Sequence, residues 1–377
     1  MILHVYSGNL FGGIESNIVA VCAADQARKA DGDTRHRVAL SFDGLLAERL
    51  REAGTKPEIL GRVRFRYPWT SWSARRKLLR LLHDPAIKGI VAHGSWAYKL
   101  TEPAACKADK RIAFWNHDPF RGLGPLESYV VAHPPDFLVA NSQFTAKALE
   151  HAFGRAVDRV IYPVSQHRSI DDPSQARARI RAEFEVPGNS VVIVLFSRFE
   201  RLKGHSVLLD ALARLKSAPK WNCWLVGGLQ KPAEFEYMEE LKRFAKSAGI
   251  ENRIRFVGHR DDIPAILAAA DVHCQPNVQP DSFGLTYVEA LAAGLPSVGS
   301  DLGGVPEILT PECGRLVPPG DADALAVTLS ELIGDESLRK RLGERGRERA
   351  SVFRDVHKAL ASLESLFAPV PEGRRDR

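Results

Sequence analysis

Two successive series of short apolar runs, each run separated from the next by a longer stretch with helical spacing, dominate this sequence and leave few folds open to it. Strands that alternate with helical crossovers build parallel sheets covered on both faces. The first series predicts strands at Ile2 to Tyr6, Arg37 to Ser41, Gly89 to Ala92, Arg111 to Trp115, Phe137 to Ala140 and Arg159 to Ile161. Helical spacing runs from Ile14 to Lys29, Leu45 to Ala53 and Thr145 to Phe153, with Ser142 placed to cap the last. The pattern breaks near Tyr162-Pro163-Val164, passes through polar Asp171-Asp172-Pro173-Ser174, and reaches Pro187-Gly188-Asn189, the best candidate for a domain boundary. A second series follows, with strands at Val191 to Phe196, Asn222 to Val226, Arg253 to Val257, Val272 to Gln275 and Ser297 to Gly299. Charged helix then extends to about Ala350, Phe353 to Phe367 repeats apolar residues at helical spacing, and Pro369 to Arg377 reads as a frayed tail. The expected fold class is α/β, with two doubly wound domains in tandem.

Composition narrows the function only a little. The formal charge of +6 favours an anionic partner: a nucleotide diphosphate, an acidic membrane surface or a nucleic acid. Arg62, Arg64, Arg66, Arg75, Arg76, Lys77 and Arg80 are interleaved with Trp69, Trp72 and leucines and carry no acidic residue among them. Such a segment is either a basic amphipathic surface for anionic lipid or a solvated helix face packed on its own domain. Cys22, Cys106, Cys223, Cys274 and Cys313 are odd in number and widely spaced, so buried reduced thiols are expected. The start of the sequence lacks the form of a secretory signal, and no stretch reaches the roughly 18 unbroken apolar residues of a membrane span. A cytoplasmic protein is expected.

Two segments of the second series carry candidate chemistry. Pro280 to Pro296 reads as a loop, a helix beginning near Ser282 or Phe283, and a glycine stop. Unpaired amides at Phe283, Gly284, Leu285 and Thr286 would suit the phosphates of a ligand. Asp281 and Glu289 would serve its hydroxyls. The alternative is an ordinary helix capped by Asp281 or Ser282, with Glu289 in solvent. Upstream, Ser197 to His205 places Arg198 and Lys203 after a buried strand, where open α/β sheets bind ligands. Two fixed cations there would neutralise a diphosphate leaving group. Singly, an arginine or lysine beside a loop is usually a solvated surface charge. In the first series, Gly12-Gly13-Ile14-Glu15 follows a strand and opens a helix, and His93 and His117 stand at strand ends.

The order of these elements resembles glycosyltransferase family 4, the retaining enzymes of the GT-B fold. The resemblance rests on Ser197-Arg198 with Lys203-Gly204, Val226-Gly227-Gly228, Arg255-Phe256-Val257-Gly258, the Asp281 to Pro296 segment, Ser300 to Glu307 and Gly314-Arg315-Leu316-Val317. Ala140 to Thr145 and Tyr162-Pro163-Val164 are similar to family segments of the first domain. It implies two Rossmann-like domains facing a central cleft: an acceptor-side domain over 1–165, a nucleotide-sugar-binding domain over 166–352, and a terminal segment over 353–377 whose helix crosses back to the first domain. It further implies that Gly12 and Gly13 approach the donor phosphates, that His117 lies near the transferring sugar with Asp118 orienting it, and that His93 belongs to the acceptor side.

The activity so implied is retaining transfer of a sugar from a nucleotide-diphosphate donor, UDP- or GDP-linked, to a hydroxyl of a glycan or lipid-linked glycan. His117, Asp281, Arg198 and Lys203 would be catalytic, and Gly12, Gly13, Phe283, Gly284, Leu285, Thr286 and Glu289 would bind the donor. No metal and no cofactor beyond the donor substrate is expected, because Arg198, Lys203 and the helix amides would take the place of a cation. A peripheral place at the inner face of an anionic membrane fits the basic segment, and no nucleic-acid module is recognisable. One departure stands out: the family commonly carries glutamate at both ends of its acidic pair, whereas here Asp281 replaces the first, which bears on the donor sugar. An inactive sugar-nucleotide-binding partner and a nucleotide-sugar epimerase on the same fold remain the alternatives.

Overall fold

The computed structural model describes residues 1–8, 11–28, 34–122, 124–164, 170–218 and 220–368. The chain divides into two units, one formed by residues 1–166 and 355–377, the other by residues 167–354. The first contains strands β1 (Ile2–Tyr6), β2 (His36–Leu40), β3 (Glu58–Ile59), β4 (Gly89–His93), β5 (Arg111–Asn116), β6 (Phe137–Ala140) and β7 (Arg159–Val160). All pair in parallel, in the order β3-β2-β1-β4-β5-β6-β7. One face packs Leu3, Val5, Phe114 and Leu138 against the helices Pro68–Leu82 and Gly94–Lys107. The other packs Ile2, Val91, Ala113 and Trp115 against Leu360 and Leu363 of the terminal helix Val356–Leu366. Burial on both faces explains why these strands read as continuous apolar runs.

The second unit repeats the scheme with β8 (Val191–Phe196), β9 (Trp221–Val226), β10 (Ile254–Gly258), β11 (Val272–Gln275), β12 (Ser297–Ser300) and β13 (Gly314–Val317), in the parallel order β10-β9-β8-β11-β12-β13. In each sheet the first strand lies beside the fourth, so the winding direction reverses between β1 and β4 and again between β8 and β11. Crossover loops leave the carboxyl ends of those paired strands in opposite directions and open a crevice between them.

Several spans differ from the sequence expectation. The short edge strand β3 has too few residues to show a pattern, and β13, not among the expected strands, pairs along β12. The charged stretch is two helices, Ala322–Gly334 and Glu336–Ser351, because Asp335 accepts the Leu338 amide at 2.8 Å and starts a new helix. Ser142 does cap Gln143–Phe153, accepting the Thr145 amide at 3.0 Å. Cys106 is exposed, contrary to the expectation of five buried thiols, while the other four are buried. Pro369 to Arg377 lies outside the described residues. Among the described residues no helix is long and apolar enough to cross a membrane.

Candidate active site

At the switch point of the second sheet, the loops after β8 and β11 are tied together. Val278 donates its amide to the Leu202 carbonyl at 2.9 Å. Gly204, with φ +75°, lies so close to Pro276 that a Cβ there would stand 1.7 Å from the Pro276 carbonyl oxygen. A left-handed glycine is therefore required for the two loops to meet. Their meeting brings Lys203 Nζ to 2.6 Å from Asp281 Oδ2, both side chains being about one-fifth exposed. Asn277 Nδ2 approaches the same carboxylate oxygen at 3.5 Å. Behind it, Gln275 donates to Asn277 Oδ1 at 3.2 Å and accepts from Thr286 Oγ1 at 3.2 Å.

The helix that follows begins at Leu285, later than expected, and ends at Ala293. Gly284, at φ +110°, holds the N-cap position, and no side chain caps the helix. Neither Asp281 nor Ser282 is the cap, so the carboxylate of Asp281 is left for Lys203. Tyr287 donates its amide to Gly284, while Leu285 and Thr286 occupy the first two helical positions, whose amides have no intrahelical acceptor. Phe283 is buried at 2% exposure and belongs to the packing of this turn. Glu289 follows one helical turn after Leu285 and is half-buried. Gly303 and Gly304 support Asp281 from behind: Gly304 donates to the Asp281 carbonyl at 2.9 Å.

Arg198 is held differently. Its guanidinium pairs with Glu234 at 3.0 Å and with Glu200 at 2.9 Å, Glu234 being only 3% exposed. The expected joint action of Arg198 and Lys203 on one anion is thus not prepared to the same degree. Lys203 is joined to Asp281, whereas the charge of Arg198 is compensated by Glu234 on the helix Pro232–Ala248 and by Glu200 in its own loop.

In the first unit, the helix after β1 starts at Gly13 with Gly12 at the N-cap, and Glu15 Oε2 accepts the Gly12 amide at 2.9 Å. Gly12 has extended backbone, φ −163°, and a Cβ there would meet nothing closer than 3.6 Å. Openness to a ligand, not local conformation, is what glycine provides at this position. Glu15 is buried and also bonds the Tyr6 hydroxyl. A pocket of roughly 370 Å³ opens beside this turn, lined by Tyr6, Ser7, Ser41, His93, Trp96 and Asp118.

His117 follows β5 and is 3% exposed, and burial lowers its imidazole to about 3. Its ring is held by His93, whose Nδ1 lies 2.9 Å from His117 Nε2. His93 is therefore a support for His117 as well as a pocket residue. The sequence reading missed Glu200, Glu234, Gln275, Asn277, His4 and His36. Their only available signal was position, since polar residues inside or just beyond buried strands need partners. Among the described residues no group of three or more His, Cys, Asp or Glu side chains is arranged to hold a metal ion.

Two doubly wound parallel sheets, each with its crevice at the strand carboxyl ends, define the GT-B fold. The crystal structure of Anabaena HepE in complex with UDP-glucose superposes with a TM-score of 0.82 at 25% identity, covering 97% of this chain and 98% of that one. Residues 176–349 match the family Glycosyl transferases group 1. It is 33% identical over 169 residues to the lipopolysaccharide core biosynthesis glycosyltransferase LpsE of Rhizobium meliloti, covering 45% of this chain and 47% of that protein. Against the D-inositol 3-phosphate glycosyltransferase of Corynebacterium glutamicum it is 32% identical over 242 residues, covering 62% of this chain and 57% of the relative. The matched stretches thus span about half the length of these curated relatives.

Proposed function

We propose that the protein is a retaining glycosyltransferase that takes its sugar from a UDP- or GDP-linked donor. The observation that carries this reading is the Lys203–Asp281 pair at the switch point of the second sheet, beside an uncapped helix start, in a unit that matches the glycosyl transferase group 1 family. On donor binding, Lys203 exchanges its carboxylate for the diphosphate, and the Leu285 and Thr286 amides add partial positive charge. Asp281, released, accepts hydroxyl protons of the sugar, and Glu289 those of the donor. Arg198 adds long-range positive charge tempered by Glu200 and Glu234. His117 serves the sugar undergoing transfer.

In the step itself, the anomeric carbon–phosphate oxygen bond breaks, the acceptor oxygen bonds the same carbon from the same face, and the acceptor proton passes to the leaving phosphate. Neutralising that phosphate lowers the barrier because charge develops on it as the bond breaks. The acceptor is a glycan or lipid-linked glycan in this reading. LpsE, named for lipopolysaccharide core biosynthesis, supports that class. Trp69 and Trp72 are about two-thirds exposed on the helix Pro68–Leu82, and Arg76 lies over the Trp72 ring at 5.4 Å, which supports peripheral contact with an anionic inner membrane face. The test is a panel of UDP-, GDP- and ADP-sugars presented with a membrane extract, read by mass spectrometry. Nucleotide release with a newly glycosylated product is expected. Turnover of the donor to an isomeric sugar nucleotide with no acceptor would replace the reading with an epimerase, and donor binding without turnover would replace it with a binding partner.

A further inference from the structure

Four imidazoles cross the first sheet in hydrogen-bonding contact, and the row ends at the site residues His93 and His117. Glu364 Oε1, on the terminal helix, lies 3.4 Å from His36 Nε2 on β2. His36 Nδ1 is 2.8 Å from His4 Nε2 on β1, and His4 Nδ1 is 2.9 Å from His93 Nε2 on β4. His93 Nδ1 then reaches His117 Nε2 at 2.9 Å, the end of the row. All four residues are at most 3% exposed. Each contact joins two ring nitrogens, so no nitrogens converge on a common point where a metal would sit. Each contact instead needs one shared proton, and a neutral imidazole has only one to give.

We infer that Glu364 and His36, relayed by His4 and His93, are positioning residues that decide which nitrogen of His117 carries its proton. A carboxylate is acceptor-only, so it claims a proton on His36 Nε2. Arg28 at 2.8 Å and Arg35 at 3.1 Å keep Glu364 in that form. The hydrogen bond from His36 is the main cause that brings its carboxyl down to about 2. When that is the only proton on His36, its Nδ1 accepts from His4, His4 accepts from His93, and His93 accepts from His117. The row then ends with Nε2–H on His117 and a bare Nδ1, which has no partner among the described residues. Adding one proton at His36 Nδ1 reverses every bond in turn, and His117 ends with Nδ1–H. Burial keeps His4 and His93 well below the ordinary imidazole value and His117 at about 3, so the three inner rings change tautomer without becoming charged.

His36 faces His4 from β1 and Glu364 from the terminal helix, and Asp25 accepts its backbone amide at 3.0 Å; Arg28 and Arg35 stand on Glu364, and His357 approaches Arg28 at 3.5 Å. His117 faces His93 and the Trp115 ring, with Asp118 next in the chain, and Tyr6, bonded to Glu15, lies on the far side of His93. The function of the device is to present either an acceptor or a donor to a ligand hydroxyl. It rests on the transferase reading only for that ligand.

The test reads the ring nitrogens of His117 by NMR in ¹⁵N-histidine-labelled full-length protein without any sugar nucleotide, between about pH 5 and 9, the range in which imidazoles commonly titrate. Removing the carboxylate charge in E364Q withdraws support for the extra proton. The changeover of His117 from bare to protonated Nδ1 is therefore expected about one pH unit lower than in the wild type. His4→Phe cuts the row and is expected to abolish the pH response of His117. Identical His117 nitrogen shifts in wild type and E364Q at every pH would overturn the inference, whether or not His4→Phe folds. Since no donor is present, failure here leaves the transferase reading standing, and failure of transfer leaves the tautomer result intact.

Discussion

Lys203 is the residue on which most of the proposed chemistry turns, because its ammonium is already poised 2.6 Å from a carboxylate that a ligand would have to displace. In Lys203→Ala, Asp281 would face the incoming phosphates without its partner, and like charges would oppose binding. A fall of about 10²- to 10³-fold in kcat/KM is expected, the range typical for losing one donor to a developing anion, with the melting temperature nearly unchanged. Steady-state nucleotide release and a thermal melt measure the two halves of that prediction. At this scale the sequence was readable wherever a residue belonged to a local segment. Lys203, Asp281, Gly284 and Glu289 could be named as candidates because the chain places them a few residues from a strand end or a helix start. His4, His36, His93 and His117 could not be found as a group, since they sit on or beside four different strands and meet only through lateral pairing. The partners of Arg198 were missed for the same reason, Glu234 being a helix and a strand away in sequence.

At the scale of elements, the turn between β12 and β13 and the Asp281 loop depend on each other. Gly303 has φ +66°, and a Cβ on it would lie 2.3 Å from the Asp281 carbonyl oxygen. Both the backbone conformation and the close approach exclude a side chain, so Gly303→Ala is expected to cost about 2 kcal/mol or more and to misplace Asp281. Denaturant melts and donor affinity should fall together; loss of neither would contradict the account of this turn. The terminal helix offers a second case. Leu363 is fully buried against the first sheet, so Leu363→Ala should cost about 2 to 5 kcal/mol in a chemical melt. The strands were legible as runs because both faces of each sheet are covered, and the amphipathic terminal helix was legible by period. The start of Leu285–Ala293 was not, because a left-handed Gly284 postpones it past the residues that look like caps.

For the whole molecule, buried neutral histidines set the response to acid. Burial lowers His117, His205 and His273 to about 3 in the folded chain, against an unfolded value of roughly 6.5. Between those limits the unfolded chain binds more protons, so stability is full above about pH 6.5 and falls as pH drops toward 3. Thermal melts from neutral pH to pH 4 should show a steady decline, and a flat profile would contradict burial of these rings in neutral form. The central claim, however, is that the second unit holds the diphosphate of a sugar nucleotide at Lys203 and the start of Leu285–Ala293. Titration calorimetry of UDP, GDP and the corresponding nucleosides with wild type and Lys203→Ala tests it most directly. The account predicts that one nucleotide diphosphate binds the wild type tightly, that Lys203→Ala weakens it at least about tenfold, a loss of about 1.4 kcal/mol, and that the weak binding of its nucleoside is unaffected. Equal affinity of both proteins for the diphosphate would contradict it.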